Sequence, residues 1–320
     1  MNDEGKRCST LVRTVYLDTN HWIELARAAH GRPDHPAHVG VLALLRSLAQ
    51  GGELQLPLSW FNYLEVHQCR SIRRRRRVAR LMTELSRGLS LAPLTACVAT
   101  QLPQSVARFA GLDRVPPTVL AIGRGVGHAF GMQPVSRFDA TALFLEPMLA
   151  AEPEGLDQRD LRLADEVLRE LKVRSEARAR EMEDGREWAQ NDSSDASQRY
   201  HLARQAINFR PVLIQALREN ALRLDSSHAA AQETLTAIIR GVPELSVRVA
   251  LSVARDLQRD RRIVGNDLRD IDALSVAIPN CDFIVTEKFW ASLCKRKASG
   301  VLHGDRVLGR LDDLARVLTA

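Results

Sequence analysis

Residues 10–29 read TLVRTVYLDTNHWIELARAA. The first nine are β-branched and alternating, which predicts a strand ending at Asp18, and Thr19 or Asn20 then caps a helix through about Ala29. Outward from there the pattern repeats. GRPDHPAH (31–38) is a loop, and VGVLALLRSLAQGG (39–52) has helical periodicity ending at the Gly51–Gly52 pair. ELQLPLS (53–59) predicts a second strand, and Ser59 caps one long helix over 60–88. LSLAP (89–93) reads as a third short strand. Strand–helix alternation of this kind points to an α/β layered fold with a mainly parallel sheet.

The middle of the chain changes character. From Pro93 to Pro243 the pattern is helical with no convincing strand, and the polar stretch 174–197 predicts an exposed helix or a linker. The glycine-rich GRGVGHAFG (123–131) lacks the Lys-Ser/Thr of a phosphate loop and reads as a flexible turn between helices. After Pro243 the α/β signal returns. ELSVRVALSVARDLQ is a helix, NDLRDIDALSVAIP (266–279) is another stopped by Pro279, and CDFIVTEKFW (281–290) holds a short buried strand. The expected organisation is one α/β domain made of 1–92 and 244–320, with a mostly helical insertion at 93–243.

Composition narrows the class. The chain has 320 residues, 45% of them apolar and 26% charged, an ordinary globular balance that excludes collagenous and wholly disordered chains. Five cysteines without a C-x-x-C pair argue against a disulfide framework or zinc ribbon and for a reducing compartment. The polar MNDEGKRCST start and the lack of any apolar run of about 18 residues predict a cytoplasmic protein with no membrane partner. The net charge of +6 hides a block, residues 70–137, with 12 basic and 2 acidic side chains. Such a block favours a polyanionic partner.

Acidic residues mark the strand ends. Asp18 ends the first strand and Glu287 follows the last, so in a parallel sheet both lie on the rim where open α/β folds place ligands. Glu65, about two turns into the helix after the second strand, leans over the same rim, and Asp270 sits early in the helix preceding the last strand. Carboxylates gathered this way repel one another unless a cation neutralises them, and oxygen-only ligation suits Mg²⁺ or Mn²⁺. Each residue also has a plain structural reading. Asp18 fits helix capping, Asp267 and Asp270 fit a capping box, Glu65 fits a solvated carboxylate, and Thr286 fits an N-cap. Trp22, Trp60 and Trp290 read as core.

VYLDTNHWIEL, LPLSWFNYLEV and NDLRDIDALSVAIPNCDFIVTEKF, in that order, resemble the successive motifs of the PIN-domain metal-dependent ribonucleases. The resemblance covers about 70 residues at each end. It implies a three-layer α/β/α sandwich, Mg²⁺ or Mn²⁺ held by Asp18, Glu65 and Asp270, and hydrolysis of RNA by metal-activated water. The family's fourth acid is usually Asp and often one position further on. Here it is Glu287, with Asp282 as the other candidate, and Asn20 and Thr286 are further site positions.

RSIRRRRRVAR (70–80) holds seven arginines on the helix expected to carry Glu65. Arg70, Arg73, Arg77 and Arg80 share one helical face and Arg74 flanks it. Guanidinium forks match phosphate oxygens, so these residues are candidate contacts for RNA, or for single-stranded nucleic acid generally. The plain reading pairs them with the acidic segment 138–200. Two other functions compete with an endoribonuclease: a non-catalytic PIN-like RNA-binding or scaffold protein, and a haloacid-dehalogenase-like phosphatase. The phosphatase needs D-x-D, and Asn20 stands at its second position. A protein regulator or a homo-oligomer is compatible with every reading.

Overall fold

The computed structural model describes residues 12–69, 71–112, 120–131, 158–189, 194–225, 227–296 and 300–320. In chain order the elements are β1 (Arg13–Leu17), α1 (Thr19–Ala29), α2 (Ala37–Gly51), β2 (Leu54–Gln55), α3 (Trp60–His67), α4 (Ile72–Ser86) and β3 (Leu89–Leu91). Then come α5 (Leu94–Phe109), β4 (Ile122–Arg124), α6 (Gly125–Ala129), α7 (Gln158–Ala189), α8 (Ser194–Asn208), α9 (Arg210–Glu219) and α10 (His228–Arg240). The chain closes with α11 (Pro243–Asp256), α12 (Gly265–Asn280), β5 (Phe283–Val285), α13 (Lys288–Lys295), β6 (Val307–Leu308) and α14 (Leu311–Thr319).

Four strands form a parallel sheet in the order β2-β1-β5-β6. Its centre is the pairing of Val15, Tyr16 and Leu17 with Phe283, Ile284 and Val285. Strand β1 is apolar on both faces, as a central parallel strand must be. Val15, Leu17 and Val285 face a core with Trp22, Leu25, Leu45 and Leu314, from α1, α2 and α14. Tyr16 and Ile284 face the other way, into a core with Val98, Leu102, Leu251 and Leu274. Helices therefore cover both faces of the sheet, an arrangement compatible with a three-layer α/β/α sandwich.

Among the described residues the helical middle builds no separate core of its own. Ala179, Met182, Leu202, Leu213, Ala216 and Ile238, from α7 to α10, are continuous with the Tyr16–Ile284 core. The polar stretch 174–197 is helix where it is described, running to the end of α7 and resuming in α8. No helix among the described residues is long and apolar enough to cross a membrane.

Three expectations need correction. The helix expected over 60–88 is two helices, because Ser71 takes an N-cap position and its Oγ accepts from the Arg74 amide. A break there also shortens the run of like charges that a single helix would stack at i, i+4. The third strand is absent from the parallel sheet. β3 pairs antiparallel with β4, Leu89 opposite Arg124, and joins the parallel side only through a single bridge between Ser90 and Leu58. Accordingly the middle does contain a strand, and 123–131 is not a flexible turn. A Cβ on Gly123 would lie 2.5 Å from His128 Nδ1, and Gly125 has φ +83°, so these glycines admit a tight ribbon-to-helix turn.

Candidate active site

Each acidic residue is placed by a different element. Asp18 leaves β1 with its amide bonded to Val285 O at 2.9 Å, so the ends of β1 and β5 stand side by side. It is the N-cap of α1, and Oδ1 accepts from the Thr19 amide at 2.7 Å. The capping reading is thus correct for this residue, while among the described residues Oδ2 takes no hydrogen bond. Thr19 and Asn20 are not the cap. Asn20 instead donates from Nδ2 to Glu287 Oε1 at 3.0 Å across the rim.

Glu65 projects from α3, whose start is locked by a capping box of Ser59 and Asn62. Asn62 is fully buried and donates to Leu17 O at 3.3 Å and to Thr19 Oγ1 at 3.0 Å. The Thr19 hydroxyl in turn acts on Glu65, lowering its pKa. A short chain of polar side chains therefore ties the Glu65 helix to the end of β1.

Asp270 is not the capping residue of α12. That role belongs to Asp267, whose Oδ2 accepts from the Val264 amide at 3.1 Å and from Arg255 Nη2 at 2.9 Å, with both Arg255 and Asp267 wholly buried. Arg255 also donates to the carbonyls of Arg261 and Arg262, closing the loop before the helix. Asp270 lies one turn further in, where Oδ2 accepts from Trp290 Nε1 at 2.8 Å. Trp290 is core, as read from sequence, and it also holds this carboxylate. Asp272 faces away, paired with Arg248 and Arg178.

The acids sense one another. Burial pushes Asp18 up to about 6, with Glu65 and Glu287 adding to the rise against the Thr19 amide and His21. Burial pushes Asp270 up to about 8, and Asp18, Glu287 and Glu65 add to it against the Trp290 hydrogen bond. Glu65 is raised by burial and by Glu287, opposed by Thr19 and Arg269. Four carboxylates from four elements therefore share one field. Glu287 is the exposed member, at the N-cap of α13.

Asp282 stands at the opposite rim. Its amide and Oδ2 bond Thr14 at 2.8 and 2.7 Å, four residues before Asp18 and so about 13 Å away along the strand. Thr286 is not an N-cap. It is buried, its amide bonds Leu308 O, and its carbonyl meets His21 Nε2 at 3.2 Å. Burial lowers the His21 pKa, but Glu24 at 2.9 Å, that carbonyl and Asp18 outweigh it, so the net shift is upward. His21 is a clamp between α1 and β5.

The donor set is oxygen-only and electrostatically strained, which fits a hard divalent ion such as Mg²⁺ or Mn²⁺. It is an open set. Among the described residues the one group of three ligating side chains drawn within 4.8 Å of one another lies elsewhere, at His35, His38 and Asp312.

The arginines sit on α4, not on the Glu65 helix. Arg73, Arg74 and Arg77 line a surface cleft of about 390 Å³ together with Ala26, Arg27 and His30 of α1. No described acidic residue forms an ion pair with Arg73, Arg74, Arg77 or Arg80. Arg70 and most of 138–157 lie outside the described residues. Because α1 starts at Asp18, the Arg27 end of the cleft is about 14 Å along the helix from the acids.

No family model, curated protein or solved structure matches the chain.

Proposed function

We propose that the protein is a PIN-like, metal-dependent endoribonuclease. The observation that supports this reading best is the shared field of Asp18, Glu65, Asp270 and Glu287 at one end of a parallel sheet. Buried carboxylates that raise one another's pKa destabilise the fold when ionised, and a chain gains from that arrangement only if a cation enters it. Asp18, Glu65 and Asp270 would hold Mg²⁺ or Mn²⁺, with Glu287 assisting from the exposed side. An ion there supplies Lewis acidity toward a phosphodiester and a water of lowered pKa.

The chain's own groups perform the rest. The Thr19 amide and Trp290 Nε1 each fix one carboxylate oxygen of Asp18 and Asp270. Asn20 holds Glu287 over the rim. Asn20 occupies the position where a D-x-D phosphatase needs its acid, and its donated hydrogen bond to Glu287 gives it a different role. Arg73, Arg74 and Arg77 of α4, which no described acidic residue pairs, lie on the adjoining surface, where they would bind phosphates of an RNA strand reaching the acids. The PIN-like assignment orders these parts as the family does, with 93–243 as an elaboration of one helical layer.

The test is cleavage of labelled single-stranded RNA and DNA with Mn²⁺, with Mg²⁺ and with chelator, by wild type and Asp18→Asn. Cleavage that needs the metal and is lost in the variant is the expected result. Cleavage absent under all conditions, or equal in both proteins, rejects the reading.

A further inference from the structure

We infer that His35, His38 and Asp312 form a second metal site, of a different chemical class, that binds Zn²⁺ and staples the C-terminal helix α14 to α2. One ligating atom from each of the three lies within 4.8 Å of the others. His35 and His38 flank the start of α2, and the His38 amide donates to His35 O at 3.0 Å, so the pair is preset by one tight turn. Asp312 comes from the first turn of α14, far away in sequence.

The groups are close without satisfying one another. His38 is only 9% exposed, yet its Nδ1 is buried and has no hydrogen-bond partner. Asp312 Oδ1 is likewise buried and unpartnered. Burying such atoms without a partner is costly, and an ion shared among them removes the cost. The ring centroids of His35 and His38 are 5.7 Å apart and tilted by 47°, so the imidazoles do not stack face to face.

The donor chemistry selects the ion. Two imidazoles and one carboxylate suit a borderline transition-metal ion better than Mg²⁺, and three protein ligands plus water is a tetrahedral Zn²⁺ set. At Zn–N and Zn–O distances of about 2.0–2.1 Å the ligand atoms would stand about 3.4 Å apart. Closing from 4.8 Å needs only side-chain adjustment, and His35 is exposed and free to make it. A long bond of 3.4 Å from the Ala37 amide to His35 Nδ1 would yield. At its other end α14 is already held, with Arg13 Nη1 donating to Val317 O and Leu318 O at 3.2 and 3.1 Å. The metal would add a polar tie at the opposite end of the helix, beside the buried Leu311 and Leu314.

The site stands apart from the acidic one and does not rest on the nuclease reading. The full chain is titrated with Zn²⁺ in excess Mg²⁺, which competes for carboxylate sites but poorly for imidazole, and Co²⁺ serves as a spectroscopic probe. The expected result is one equivalent of Zn²⁺, a rise in Tm, and visible Co²⁺ bands of tetrahedral type. His35→Ala and Asp312→Ala should each weaken binding by at least about 10–100-fold while circular dichroism shows the fold retained. No binding, or binding unchanged in either variant, overturns the site.

Discussion

Ionising Asp18 and Asp270 is harder in this fold than in the unfolded chain, and that has measurable consequences. Their folded pKa values, about 6 and about 8, lie above the ordinary Asp value. The folded state therefore binds more protons than the unfolded chain between these limits. Their contribution to stability is full below about pH 4 and is lost as pH rises through about 6 and then about 8. Urea melts of the chelated protein should show this decline, and added Mn²⁺ should flatten it. In the same chelated protein Asp18→Asn, which keeps an N-cap, should raise Tm by a few degrees, on the order of 1 kcal/mol. With metal present the same substitution should lower RNA cleavage by on the order of 100-fold or more. Greater stability with less activity separates a charged site from a merely structural one. That Asp18 and Glu287 stand at one end of the sheet was readable from sequence because each follows a strand, whereas Glu65 and Asp270 are brought there by their helices. Asn62 and Trp290 could not be assigned their roles, since these depend on contacts with Thr19 and Asp270 that only the tertiary fold creates.

At the level of elements, α12 is delivered to the rim by its own start. Arg255 and Asp267 form a wholly buried ion pair that caps the helix carrying Asp270. Removing one partner strands a buried charge, so Asp267→Asn or Arg255→Met should cost about 3–5 kcal/mol in a urea melt. The double replacement by apolar residues should recover much of that loss. The rank order would be reversed if the pair were a surface decoration. On α4 the relevant quantity is salt dependence. Arg73→Ala/Arg74→Ala/Arg77→Ala should weaken RNA binding and reduce the log–log salt slope by up to about 3, read by mobility shift across salt concentrations. Unchanged RNA affinity would remove α4 from the interface. The strong periodicity of α1, α2, α11 and α12 made them legible. The break at 68–71 was not, because Ser71 capping competes with a helix pattern that continues on both sides. Strand β4 was also hidden, since three residues in a glycine-rich run carry no period and are held by pairing with β3.

Across the whole molecule, the helical middle and the sheet share one core. Met182, Leu202 and Ile238 belong to the same buried cluster as Tyr16 and Ile284. Removing 93–243 to leave a minimal α/β unit would keep Leu251 and Leu274 over the sheet but bare the apolar sides of α11 and α12 that the middle helices cover. The deleted chain should be insoluble or fail to melt cooperatively, and the full chain should unfold in one transition by circular dichroism and fluorescence alike. Two separated transitions would show the middle to be independent. Which segments alternate strand and helix was readable from sequence. That the middle thickens one layer was not, because its packing partners are non-local, from Gln205–Arg248 at 43 positions to Ser105–Ile238 at 133. The pairing of β1 with β5 also sets a schedule. Asn20 and Glu287 are 267 positions apart, and although β1 can pair with β2 early, it does not meet β5, nor Asp18 its partner Val285, until residues 283–287 have been made. At about 5–20 residues per second a ribosome needs on the order of 10–60 s to cover that distance. The four acids therefore cannot assemble until β5 has been made, and a product ending before it carries Asp18, Glu65 and Asp270 without Glu287 or the strand that brings Glu287 beside Asp18. For a protein proposed to cut RNA, the order of synthesis thus delays the site until its last acid has been made.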